Sequence, residues 1–142
     1  MRQLCAILVA GLATPPLATP ALAEAPAPAL GLELNTVTEA EGACRLTFLA
    51  ENALGADLDA LVLEAVLFTT QGTVDRLTLF DFGALPAGRP RVRQFDVDGM
   101  SCDALGQVLV NGATECAGTG LAPGACIEAL RLSSRTGVEV AG

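Results

Sequence analysis

Apolar residues recur at every second position through much of this chain, in runs short enough to be strands. Residues 44–51 set the pattern. There Cys44, Leu46, Phe48 and Ala50 alternate with Arg45, Thr47, Leu49 and Glu51, the period of two expected of a half-buried strand. Residues 60–69 are apolar on both faces apart from Glu64, which predicts a central strand. Gln71-Gly72 supplies a turn and 74–82 returns, so this pair reads as a hairpin. Leu85-Pro86-Ala87-Gly88 predicts a further turn, with Pro at its second position and Gly at its fourth. Residues 91–97 form the next strand, stopped by Asp98-Gly99, and 105–110 another, ending at Asn111-Gly112. Residues 130–140 are read as the last strand, bent or bulged at Gly137, and 32–38 as the first. The most helix-like piece is 123–129, no more than a turn or two.

About seven short strands with turn signals between them predict an all-β fold, a single antiparallel sandwich of immunoglobulin type. The domain is placed at 31–142, after an Ala/Pro-rich lead-in at 24–30.

The first 23 residues do not fit that pattern. Met1-Arg2-Gln3 and the apolar run from Leu4 to Ala13 have the proportions of a secretory signal peptide, too short for a membrane span and interrupted by Pro15-Pro16. Ala21-Leu22-Ala23 is a small-x-small cleavage pattern, which places the mature start at Glu24 and the mature protein in the periplasm or outside the cell. Cys5 sits at the start of the apolar run rather than after it, against a lipoprotein, and Arg2 has no adjacent arginine, against twin-arginine export.

Composition narrows the chemistry. The chain is 51% hydrophobic and 17% charged, which argues for a packed core. Removing Arg2 with the leader leaves seven basic residues against sixteen acidic, a net charge of −9 that disfavours nucleic acid and anionic lipid as partners. His, Lys, Tyr and Trp are all absent. Nucleophiles activated by His, His-ligated metals, Ser-Lys dyads and Schiff bases are therefore closed to it, and aromatic platforms for sugars or bases are scarce. Carboxylate catalysis is the one enzymatic route left open. No cofactor is expected.

Four cysteines remain in the mature chain, Cys44, Cys102, Cys116 and Cys126, an even number that reads as a structural disulfide framework in an exported domain. Three pairings are possible. Cys44 with Cys102 and Cys116 with Cys126 is favoured, because the nine residues between the latter two include Gly118, Gly120, Pro123 and Gly124 and can fold back on themselves. No Cys-x-x-Cys spacing suggests a redox or zinc site.

Four segments together carry a resemblance: Gly42-Ala43-Cys44-Arg45-Leu46-Thr47-Phe48, Leu67-Phe68-Thr69-Thr70-Gln71-Gly72, Phe95-Asp96-Val97-Asp98-Gly99 and Leu132-Ser133-Ser134-Arg135-Thr136. They resemble a group of uncharacterised exported proteins of alphaproteobacteria, often labelled only by their signal sequence. The strand, Leu-Phe-x-x-x-Gly and returning strand are also similar to small sandwich modules of the FxLYD kind. The resemblance implies a sandwich and an envelope location; it brings no activity and no functional residues.

Two places could hold a ligand. Arg89, Arg91 and Arg93 alternate, so on an extended strand they would share one face and could receive a carboxylate, a phosphate or an acidic partner; the plainer reading pairs them with Asp75, Asp81 or Glu64. Asp96-Val97-Asp98-Gly99 with Asp103 has the opening of a calcium loop but lacks its later ligands, and Asp-Gly is also an ordinary turn. The Gly-rich 118–124 segment lacks the strand-then-helix setting of a phosphate loop, and no base stands ready for Ser133 or Ser134. The sequence thus leads to a non-enzymatic envelope module that binds or supports a partner protein. Its rival is a small-ligand or calcium binder using the 96–103 turn or the arginine stripe.

Overall fold

The structure, a computed structural model, describes residues 19–142. The leader read at 1–23 and Cys5 therefore lie largely or wholly outside the described residues. Among the described residues, eight strands form two four-stranded sheets. In chain order these are β1 (Ala29–Ala40), β2 (Ala43–Ala53), β3 (Ala60–Thr69), β4 (Val74–Asp81), β5 (Arg91–Asp98), β6 (Leu105–Ala117), β7 (Leu130–Ser134) and β8 (Glu139–Ala141). One sheet has the order β5-β2-β1-β7 and the other β4-β3-β6-β8. A 3-10 turn at Cys102–Ala104 leads into β6, and a single helical turn, α1 (Ala125–Glu128), precedes β7.

The period-two pattern sends alternate side chains of both sheets into one core. Leu30, Leu32 and Leu34 of β1 and Leu46, Phe48 and Ala50 of β2 meet Leu61, Leu63 and Leu67 of β3, Phe80 of β4 and Val108 of β6. Burying each large side chain is worth about 1.5–3 kcal/mol, so these rows hold the two sheets together. Phe48, Phe80, Phe82 and Phe95 meet at one side of the core. Phe80 and Phe95 stack with ring centroids 4.6 Å apart, and Phe82 meets Phe95 edge-on at 5.0 Å.

Two arginines tie the sheets together at their β4 and β5 edges. Arg93 of β5 donates from Nε to the Phe82 carbonyl at 2.7 Å and from Nη2 to the Ala84 carbonyl at 3.0 Å. Arg76 of β4 donates to the Asp98 carbonyl at 2.7 Å. The buried Asn52 is fully engaged: its amide donates to Ala56 and Leu85 carbonyls at 2.9 and 2.7 Å, and its Oδ1 accepts from the Leu54 N–H. It thereby fastens the 54–58 and 84–88 loops to the end of β2.

Five sequence expectations need correction. Neither sheet is purely antiparallel, since β7 runs parallel to β1 and β8 parallel to β6. The single strand expected at 130–140 is two strands in different sheets. Residues 135–138 carry the chain across, held by the Ser134 hydroxyl accepting from Thr136 N–H and the Thr136 hydroxyl accepting from Val138 N–H. Asn111-Gly112 does not end a strand. β6 continues to Ala117, and Asn111 is an extra residue between the Ala65–Val110 and Glu64–Gly112 pairs, so a bulge absorbs the turn signal. The turn at Pro86 is displaced by one residue: Arg89 N–H bonds the Pro86 carbonyl, which puts Gly88, with φ of 69°, at the third position where a positive φ is required. The first strand also starts at Ala29, earlier than expected, and so takes in the end of the lead-in.

Candidate functional site

The disulfides join the pairs favoured from the sequence. Cys44 on β2 is bonded to Cys102, with Cα atoms 4.8 Å apart, linking one sheet to the entry of β6 in the other. Glu39 accepts from the Cys102 backbone N–H at 2.6 Å and helps place that turn. Cys116 near the end of β6 is bonded to Cys126 in α1. Inside that second loop, Gly118 lies against the Asp57 carbonyl so closely that no side chain fits, so its role is close packing of backbone on backbone.

The three arginines of the stripe are placed differently. Arg89 precedes β5, while Arg91 and Arg93 share the inward side with Phe95 and Val97. Arg93 spends its guanidinium on the Phe82, Ala84 and Val92 carbonyls and Arg91 donates to Pro90, so neither takes Asp75, Asp81 or Glu64 as an ion-pair partner. The carbonyls of the 82–84 segment come within reach because β4 and β5 lie over one another at the edges of the two sheets. That contact is not visible in a linear reading.

At the 96–103 turn, Asp96 is bound by Arg45 across the strand pair, Nε to Oδ1 at 2.7 Å and Nη2 to Oδ2 at 2.8 Å. Those hydrogen bonds, more than the nearby charge, hold the Asp96 carboxyl below its ordinary range and push Arg45 up. Gly99, with φ of 73°, bonds its N–H to the Gly42 carbonyl and makes the Asp98-Gly99 pair a turn. Among the described residues, no group of three or more His, Cys, Asp or Glu side chains is placed to hold a metal ion.

The feature that the sequence reading missed is the outer face of the β4-β3-β6-β8 sheet. Register lays its outward residues in rows across the strands. Leu77, Val66, Leu109 and Ala141 form one row spanning all four. On one side lies the row Val74, Phe68, Gln107 and Glu139; on the other, Leu79, Glu64 and Gly112, then Asp81, Val62 and Glu115. Val66 is covered by its flanking neighbours, but Leu77, Leu79 and Val74 are 59%, 57% and 56% exposed. Three exposed apolar side chains on one edge strand, continued inward by the less exposed Val66 and Leu109, form a patch unlike the single exposed apolar residues that any surface carries.

Carboxylates border this apolar row and no arginine lies on it. Glu64 accepts from the Asn111 side chain and Asp81 from the Gly83 backbone N–H. Among the described residues, Glu64, Asp81, Glu115 and Glu139 have no basic partner within ion-pair distance; Asp75, on the same strand edge, is paired with Arg76. The sequence signal for this face was present. Residues 74–82 carry leucines at 77 and 79 and phenylalanines at 80 and 82, so both sides of β4 are apolar while only one can face the core. Compared with known proteins, the chain matches no family model, no curated protein and no solved structure.

Proposed function

We infer that this chain is an exported, non-enzymatic module of the cell envelope that binds or supports a partner protein. The exposed apolar side chains of β4, Leu77, Leu79 and Val74, on the outer face of the β4-β3-β6-β8 sheet carry this reading, because such a surface is stable in water only at a cost and is relieved by docking. Two disulfides are consistent with an oxidising compartment, and the leader at 1–23 with export to it. The bridge from β2 to the entry of β6, joining two sheets over a shared core, supports an immunoglobulin-like sandwich, with two parallel pairs added to the usual antiparallel plan.

Fractionation of the producing cell tests this. The intact mass should begin at Glu24 with four fewer hydrogens than the reduced chain, and the envelope fraction should hold the protein in a species larger than the monomer on a native gel. A reduced, full-length chain in the cytoplasm would overturn the location. Migration as a free monomer in every fraction would overturn the partner.

A further inference from the structure

We propose that the outer face of β4-β3-β6-β8 docks a protein surface whose apolar centre is ringed by Lys and Arg. This rests on the partner-binding reading above and adds which face is used and what chemistry the partner presents. Apolar area comes from the exposed Leu77, Leu79 and Val74 of β4, with the half-buried Leu109 of β6 two strands away on the same face, and its removal from water favours association without fixing orientation. The carboxylates supply the rest. Docking brings Glu64, Asp81, Glu115 and Glu139 toward a low-dielectric contact, and none has a basic partner of its own among the described residues. A partner without cations would leave those charges desolvated and unpaired, which is strongly unfavourable.

The same argument excludes the other occupants of an apolar face. A second copy docked face to face would set these carboxylates against their own counterparts. An anionic lipid surface would be repelled by the rim and by the net charge of −9 that remains after the leader is removed. Lys and Arg placed around an apolar centre satisfy both requirements at once, and charge contrast would also speed encounter at low salt.

Photo-crosslinking in the producing cell, with the full chain, tests the proposal. A benzophenone amino acid replaces Leu77 in one strain, Leu109 in a second and Val92, on the other sheet, in a third. Crosslinked peptides are then identified by mass spectrometry. The expected result is adducts at 77 and 109, absent at 92, to a peptide of another protein carrying apolar residues beside Lys or Arg. In the strain with the probe at 109, Leu77→Ser with Leu79→Ser should lower the yield on the order of tenfold, as loss of central apolar contacts does. An unchanged melting temperature would show that these variants are folded. Adducts at 92 alone, to a second copy, to lipid or to an acidic peptide would overturn the proposal. Those to another protein would leave the partner-binding reading standing. No adduct at any of the three positions would overturn both.

Discussion

On the outer face of the β5-β2-β1-β7 sheet, polar side chains answer one another across the strands. Arg45 holds both oxygens of Asp96, Arg135 pairs with Glu33 at 2.9 Å, and Gln94 donates to the Thr47 hydroxyl at 3.0 Å. On the outer face of β4-β3-β6-β8, the corresponding rows are apolar at the centre and acidic at the border, with little to neutralise them. The two faces are built on the same alternation and cover the same core. The first pairs its charges within the face and exposes one large apolar side chain, Val92 at 58%, while the other gathers several exposed apolar side chains and unpaired negative ones that a partner would satisfy together. The difference lies in which residues fill the outward positions and not in the fold that presents them.

The largest way to break this comparison is to part the sheets. Phe48 is 2% exposed and touches Phe80, Phe82 and Phe95, which come from strands and loops of both sheets. Phe48→Ala should cost about 3–5 kcal/mol in denaturant unfolding. Both faces should be lost in one transition, because they share that core. Two separate transitions would mean the sheets are independent and the faces cannot be compared as parts of one unit.

Removing the Cys44–Cys102 bridge comes next. It closes a 58-residue separation and links β2 of one sheet to the approach to β6 of the other, whereas Cys116–Cys126 closes only 10 and fastens α1 locally. In chain-entropy terms the long loop contributes about 4 kcal/mol and the short one about 3 kcal/mol. Replacing the Cys44–Cys102 pair by Ser should therefore lower the unfolding midpoint more than replacing the Cys116–Cys126 pair. The reverse order would place the joint between the sheets elsewhere.

Acid should affect the ion-paired face in a defined direction. Asp96 is lowered by Arg45, and Glu33 is lowered first by the Asn35 hydrogen bond and then by Arg135. A carboxyl lowered in the folded state adds stability above its unfolded value of about 4, and that contribution is lost as pH falls through the lowered folded value. Thermal melts from about pH 5 down to about pH 2 should lose stability, and Asp96→Asn with Glu33→Gln should make that decline shallower. Both pairs are exposed, so the change in slope should be small. An unchanged slope would remove these pairs from the account of why that face is self-sufficient.

The strands and the disulfide pairing could be read from the sequence because they depend on local signals: alternation at 44–51, the Gly/Pro-rich stretch between Cys116 and Cys126. What could not be read depends on partners far along the chain. Leu130, Leu132, Val138 and Val140 keep the same parity through 135–138, so the period of two runs unbroken while the chain changes sheet. Asn111-Gly112 carries turn chemistry, yet pairing with β3 on one side holds it in the ladder as a bulge. Arg91 and Arg93 do alternate onto one side of a strand, but that side is the inner one, and Arg93 meets carbonyls delivered by the other sheet. Leu77 and Leu79 are adjacent in the pattern to Phe80 and Phe82, and nothing in one strand says which set faces water. Only the register with β3 assigns the leucines to the outer face.

The smallest expected effect on folding is also the sharpest test of what the two faces are for. Leu77 and Leu79 are more than half exposed and lie on an edge strand, so Leu77→Ser with Leu79→Ser removes little buried area. The midpoint of chemical unfolding should move by no more than the equivalent of about 0.5 kcal/mol, as for other surface changes. A loss several times larger would mean that the row is covered by the chain itself and contributes to folding. A change near zero would mean that these apolar side chains add almost nothing to the folded domain alone. Their exposure side by side on β4, next to Val66 of β3, then has no explanation in stability, which leaves contact with another molecule as the property that this patch serves.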